Sequence, residues 1–385
     1  MVIYIHIPFC IKKCDYCDFL SFACDDVTRE QYVKKLIEEI EYYGGIYGRS
    51  GRDEIVTSVF FGGGTPSVLE PQQMASIMES LRRTFTLAKD VEITVECNPG
   101  TLTAEKVNTY KEQGINRISI GLQSANDDEL KSVGRIHTYD KFLESYQLVR
   151  DAGFDNVNID LMSALPGQTM ESYKDTIEKI IALQPEHISS YSLIVEYGTP
   201  LYYRIRELDE NLLPTGLPDE DTEREMYYMT GRMLEEAGYK RYEISNYAKD
   251  GYECRHNTAY WRRDNYVGIG LGASSCMDEV RFTNISDMDQ YMKGSFPNLD
   301  DEETCVLSEN DRMSEYMYLG LRMMSGVTKS EFHRQFGRDF DQVFGQVTDK
   351  MENRELVRVE NEDRIYLTPL GIDVSNTVLA QYLVD

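Results

Sequence analysis

Three cysteines crowd into eight positions near the start of the chain, in Cys10-Ile-Lys-Lys-Cys14-Asp-Tyr-Cys17. Thiolates are soft ligands, and three this close on one loop suit an iron–sulfur cubane, each holding one iron. The fourth iron then lacks a thiolate, and an open coordination position is what a metal needs if it is to hold a small molecule. A zinc knuckle completed by Cys24 or a histidine is the competing reading. Such knuckles pair two C-x-x-C hooks, whereas this chain has one irregular triplet. The remaining five of the eight cysteines are scattered, which suits metal binding in a reducing compartment and predicts a cytoplasmic protein.

A second group is Phe60-Phe61-Gly62-Gly63-Gly64-Thr65-Pro66. Consecutive glycines let a backbone approach a ligand and offer it amide groups, although a tight turn between strand and helix explains the run equally well. Polar residues then recur where later strands should end: Glu96 and Asn98, Gln123 and Ser124, and Asp160. Each alone reads as a cap or turn residue; together they are expected to point into one mouth. Arg135 is a planar cation suited to a carboxylate, with a surface salt bridge as its alternative role. In His256-Asn257-Thr258-Ala259-Tyr260-Trp261 stand one of only five histidines and the single tryptophan. A neutral imidazole is a good metal ligand, and a buried histidine packed among aromatic rings is the other reading. Cys254, two residues earlier, either meets the same metal or is a small core residue.

The elements that position these groups follow a simple alternation. Six β-rich runs are expected over Val2–Pro8, Ser58–Gly63, Glu92–Asn98, Arg117–Ser124, Asn156–Leu165 and His187–Glu196. Amphipathic helices fill the gaps: Thr28–Tyr43, Pro71–Phe85, Thr103–Gln113, Tyr139–Ala152 and Met170–Leu183. Such alternation builds right-handed parallel βαβ units, and six of them give an α/β fold, a partial (β/α)6 TIM-like barrel, over residues 1–240. Pro200, Pro214 and Pro218 mark a connection before a helix over Asp219–Ala237, and residues 241–306 are expected to be a connecting region that carries the His256 motif and Gly268-Ile-Gly-Leu-Gly272. Residues 307–385 read as a small winged-helix-like α+β domain: helices over Asp311–Met324, Thr328–Phe336 and Phe340–Asn353, a hairpin of Val357–Glu360 and Arg364–Thr368, and a last helix over Pro369–Tyr382.

Composition excludes more than it assigns. Sixty-six acidic against 40 basic residues give a net charge of −26, so no nucleic-acid partner is expected. No apolar run reaches the roughly 18 to 20 residues that span a bilayer, and the N-terminus lacks the basic start of a signal peptide.

C-x3-C-x2-C with an aromatic before the third cysteine resembles the signature of the radical S-adenosylmethionine (SAM) superfamily. The resemblance implies a [4Fe–4S] cluster on Cys10, Cys14 and Cys17, with SAM on the open iron, an electron donor for the cluster, and the partial barrel that the six runs suggest independently. The glycine run resembles the motif that holds the SAM amino group. Tyr4-Ile-His6-Ile-Pro8-Phe9-Cys10, Gly-Gly-Gly-Thr-Pro, Gly-Leu-Gln-Ser, Asp160-Leu-Met-Ser-Ala-Leu-Pro-Gly-Gln and Leu367-Thr-Pro-Leu-Gly371 together look like the oxygen-independent coproporphyrinogen III oxidase-like branch, over essentially the whole chain. By that analogy SAM is expected to contact Tyr4, Gly63, Gly64, Thr65, Glu96, Gln123, Arg135 and Asp160. Two subfamilies compete. The dehydrogenases, which decarboxylate coproporphyrinogen III oxidatively, carry a further cysteine two residues after the triplet and a longer arm before it; Phe19 stands at that position here, and the first strand starts almost at residue 1. The heme chaperones of the branch contain an H-N-x-x-Y-W motif, which is the His256–Trp261 segment. The resemblance therefore implies heme binding through His256 and delivery of heme to an acceptor hemoprotein.

Overall fold

The computed structural model describes residues 1–211 and 215–384; Pro214 of the expected connection and Asp385 lie outside them. Six parallel strands form its centre: β1 (Val2–Ile7), β2 (Ile55–Gly63), β3 (Thr86–Cys97), β4 (Arg117–Gln123), β5 (Val157–Ser163) and β6 (His187–Ser192). Each is followed by helix, and the fold is the partial (β/α)6 barrel expected. The strands show why it forms. In Arg117-Ile-Ser-Ile-Gly-Leu-Gln123 the residues Ile118, Ile120 and Leu122 join the main hydrophobic core beneath the helices, while Arg117, Ser119, Gly121 and Gln123 face the lumen. The same period of two puts Tyr4 and His6, Phe60, Glu96, Asn158 and Asp160, and Ser189 and Tyr191 inside. Apolar faces thus pack outward and polar faces inward, so the barrel centre is a lined cavity instead of a packed core.

Residues 241–306, expected to be a connection, extend this sheet on both sides. The strands β7 (Lys240–Glu243) and β8 (Asn246–Ala248) add to β6, and β9 (Tyr266–Ile269), β10 (Ser274–Met277), β11 (Val280–Thr283) and β12 (Cys305–Val306) add to β1. Each is only two to four residues long, too short for an alternation to be read from sequence. Buried Glu39, on the helix Asp26–Ile46, ties this addition down: it accepts from the amide of Gly270 (2.9 Å), Asn284 Nδ2 (2.5 Å) and the Tyr291 hydroxyl (2.5 Å). Burial pushes its carboxyl up to about 7, against the opposing pull of those three donors.

Pro200 starts a helix, Pro200–Glu210, where a connection was expected; proline suits the first helical turn, and Thr199 accepts from the amide of Tyr202 as its cap. The C-terminal domain has its own core around Met317, Phe332, Phe344 and Ile365. Its helices Glu309–Gly320, Lys329–Phe336 and Phe340–Glu352 pack on a three-stranded sheet of β13 (Val327–Thr328), β14 (Val357–Glu360) and β15 (Arg364–Leu367). The last expected helix is broken into Pro369–Asp373 and Ser375–Leu379, because Val374 leaves helical geometry (φ −112°, ψ 32°). Glu315 of this domain receives Arg263 (3.0 Å) and Arg281 (2.7 Å) from the extended sheet. Among the described residues no helix is long and apolar enough to cross a membrane.

Candidate functional site

All eight cysteines are free thiols. Cys10, Cys14 and Cys17 follow β1 and line one small cavity of about 140 Å³, whose other walls include Gly63, Gly64, Thr65, Glu96, Gln123, Arg135 and Asp160. Ten of the eleven residues expected at the cluster and SAM therefore meet in one place. Tyr4, the eleventh, lines an adjoining cavity. Among the described residues no three His, Cys, Asp or Glu side chains gather as around a single ion; the cysteines share a cavity wall.

The cavity fits a cluster and SAM in three respects. Its only soft donors are the thiols. Backbone is brought unusually close by glycine: Gly63 has φ +106°, and a Cβ there would lie 2.5 Å from the His6 ring, while one on Gly64 would lie 2.7 Å from the Phe9 carbonyl. Half-buried Arg135 keeps a buried Nε without a partner, while Nη1 lies 3.6 Å from Cys14 Sγ and Nη2 donates to Asn98 Oδ1 (3.2 Å) and to the Gly121 carbonyl. That position excludes a surface salt-bridge role for Arg135. Cys10 Sγ lies 3.4 Å from the Thr65 hydroxyl, which also accepts from Asn98 Nδ2 (2.8 Å), so the cysteine loop, glycine turn and third strand are joined by one hydrogen-bonded chain. Gln123 has φ +76°, where β4 slips register against β5. A side chain held in that region is strained, and the strain turns its amide toward the mouth.

Ser124 is a correction to the sequence-based expectation. It points away from the mouth and donates to buried Glu129 (2.6 Å), which also receives Gln168 (2.9 Å) and Ser172 (2.5 Å). The period of two accounts for this: with Arg117, Ser119, Gly121 and Gln123 turned inward, Ser124 falls on the outward face with Ile118, Ile120 and Leu122.

The adjoining cavity is larger, about 550 Å³, and shares Phe19, Glu96, Ser119 and Asp160 with the first. Glu96 is pushed up to about 8 by burial and by the neighbouring Asp160 carboxylate, and Asp160 is raised by burial. Asp160 is held by Asn158 Nδ2 (2.7 Å) and the Ser119 hydroxyl (3.2 Å). His6 Nε2 donates to the Leu20 carbonyl (2.9 Å), so its Nδ1 accepts from the Tyr4 hydroxyl (3.1 Å).

His256 belongs to this second cavity. It lies on a short helix, Arg255–Trp261, that closes the end of the barrel opposite the cysteine loop, against Ser58 and Glu92 of β2 and β3. Glu92 caps the helix, accepting from the amides of Arg255 and His256 (both 3.2 Å) and lying 3.6 Å from Cys254 Sγ. The imidazole is 1% exposed, stacks on Phe60 with ring centres 5.0 Å apart, and has Ser58 Oγ at Nδ1 (2.8 Å) and the Tyr260 hydroxyl at Nε2 (3.1 Å). Burial, and secondarily Arg117, lower its pKa to about 3, so the ring is neutral. Tyr260, four residues on, shares this face; Trp261 does not. The tryptophan faces the C-terminal domain, where the Arg322 guanidinium lies 4.5 Å above its ring. Cys254 is fully buried with its thiol pushed up to about 12 and is not part of the cavity lining.

Sequence reasoning missed Arg117, Asn158, Ser189 and Tyr191, which also line the larger cavity. Their signal was the period of two within strands otherwise read as apolar.

The radical SAM superfamily model matches residues 4–180, and the HemN C-terminal domain model matches residues 307–374. The heme chaperone HemW of Lactococcus lactis is 36% identical over 99% of this chain and 97% of its own. Those of Bacillus subtilis and Escherichia coli are 35% and 33% identical, over 99% and 100% of this chain and 98% of each relative. Among solved structures, the coproporphyrinogen III oxidase HemN of Escherichia coli superposes with a TM-score of 0.85 at 22% identity, over all of this chain and 90% of its own, which establishes the shared fold.

Proposed function

The chain belongs to the heme chaperone HemW family of radical SAM proteins, and from that premise we propose that it carries heme in the larger barrel cavity and passes it to an acceptor hemoprotein. Cys10, Cys14 and Cys17 would hold a [4Fe–4S] cluster in the smaller cavity, with SAM contacting Gly63, Gly64, Thr65, Glu96, Gln123, Arg135 and Asp160, and Tyr4 near its inner end. One-electron reduction of SAM is the chemistry such a cluster supplies when bound, and it requires an electron donor.

The observation that carries this reading is the shared wall. Two cavities, one lined by the Cys10, Cys14 and Cys17 thiols and one large enough for a macrocycle, meet at Glu96, Ser119 and Asp160. Around them this chain's own residues do definable work. Gly63 and Gly64 admit a ligand close to the backbone, Arg135 offers its unpartnered Nε to a carboxylate, and Phe60, Tyr4 and Tyr260 offer ring faces. His256 is the proposed axial ligand to heme iron. Its neutral Nε2 meets iron by exchanging the Tyr260 hydroxyl for the metal. The eight free thiols favour a reducing, cytoplasmic setting.

The test uses anaerobically reconstituted protein in two reactions. Supplied with heme it should form a stable complex, and an apo-hemoprotein added afterwards should acquire the heme. Supplied with coproporphyrinogen III, SAM and a reductant it should form no protoporphyrinogen IX. Efficient decarboxylation, or heme that never leaves the chain, would overturn the chaperone reading.

A further inference from the structure

Arg117 opens β4 and is 2% exposed, yet among the described residues its guanidinium has no hydrogen bond and no ion pair; Nε is fully enclosed without an acceptor. A guanidinium carries five donors in a planar fork and stays charged, so leaving it buried and unpaired costs much of its hydration. The nearby carboxylates are committed elsewhere. Glu92 spends its oxygens on the helix that carries His256, and Asp160 accepts from Asn158 and Ser119. The thiol of Cys254 is un-ionised at neutral pH. What Arg117 does face is the larger cavity, whose wall it forms together with Ser119, His256 and Tyr260.

We propose that Arg117 is the anchor for a carboxylate of the cargo, a heme propionate, drawn down inside the barrel. This rests on the heme-binding reading above and adds its orientation. The propionate edge turns toward the closed end, away from the cysteines. The SAM carboxylate is the other anion available to this barrel. Arg117 lines only the cavity without cysteines, whereas Arg135, with its own free Nε, lines the one that contains them. Two guanidinium groups in two connected cavities, Arg117 without a partner and Arg135 with a free Nε, thus divide the two carboxylate ligands between them. The fork of Arg117 matches a carboxylate bidentately, which a lysine cannot do.

The experiment compares heme with its dimethyl ester, in which both propionates are masked, on the wild-type protein, Arg117→Gln and Arg117→Lys, with iron content and melting temperature as folding controls. Wild type should bind the free acid at least about tenfold tighter than the ester, the scale of one charge-assisted pair. Arg117→Gln should lose that preference by weakening the free acid alone, with ester and SAM affinities unchanged. Arg117→Lys should retain part of the preference and takes the place of the glutamine variant if that one fails to fold. A preference that persists undiminished in both variants overturns the assignment, as does an Arg117→Gln variant that weakens SAM as much as heme. Failure of wild type to bind either porphyrin is a different result and removes the heme reading itself.

Discussion

The two cavities of this barrel are built in opposite ways. The smaller is built around two runs that are contiguous in sequence, Cys10–Cys17 and Gly63–Thr65, joined by hydrogen bonds such as Asn98 to Thr65 and completed by the ends of later strands. The larger is made of single residues, one or two from each strand, and one helical turn from far along the chain. A contiguous loop can be specified by a motif; a lumen exists only once six strands have closed around it. The difference teaches where to expect all-or-none behaviour and where graded behaviour.

Breaking the smaller cavity should give the largest effect. Cys10→Ala, Cys14→Ala or Cys17→Ala should each abolish a reconstituted content of about four irons per chain, while Cys24→Ala, Cys97→Ala and Cys305→Ala leave it intact. Iron retained in a triplet variant would dissolve the distinction between the cavities.

Next come the residues that tell the cavities apart. Gln123→Ala should weaken SAM by about tenfold through one lost polar contact and leave heme unaffected, whereas Asp160→Ala, on the shared wall, should weaken both. Parallel titrations of the two ligands read this out, and an Asp160 variant that affects only one of them would mean that the wall is not shared in function. On the far side, His256→Ala should shift or weaken the Soret band of the heme complex with iron content and SAM affinity intact. It should also cost about 1–3 kcal/mol of stability, because Ser58 and Tyr260 lose a buried partner.

The smallest effect on ligand binding, none at all, is expected outside both cavities and serves as their control. Glu39 keeps its proton in the folded chain up to about pH 7 but releases it near 4.5 when unfolded. The folded state therefore binds the extra proton between those values, and stability falls as pH rises through them, by at most about 1.4 kcal/mol per unit. In Glu39→Gln that slope should become shallower in melting curves taken between pH 5 and 7, the remainder belonging to Glu96, whose carboxyl is raised to about 8. A slope unchanged from wild type would assign the whole titration to other buried groups.

The parallel barrel, its six strands and the winged-helix-like domain were legible because long, periodic elements declare themselves, and the helices Met170–Leu183 and Pro71–Thr84 start where their sequences place them. The small cavity was legible through its contiguous motifs. What stayed hidden has physical reasons. Arg117 in Arg-Ile-Ser-Ile-Gly-Leu-Gln reads as the polar edge of a strand until the lumen it faces is known. Ser124 looked like a rim residue because it is polar and ends a strand, yet the same period of two that turns Gln123 inward turns its neighbour out. Trp261 looked like a partner of His256, yet five residues along a helix is half a turn too far to share a face.

That last arrangement has a practical corollary. The chain has one tryptophan, and it sits on the same seven-residue helix as His256, turned outward beneath Arg322. Excited at the red edge of indole absorption, where the 27 tyrosines do not absorb, its emission therefore comes from a single known place, the outer side of the helix that closes the larger cavity. A porphyrin arriving on the other side of that helix would lie within range to quench it by energy transfer, whereas SAM, at the far mouth, absorbs too little light at these wavelengths to do so. The protein thus comes with its own optical gauge for cargo, readable without a label and blind to SAM.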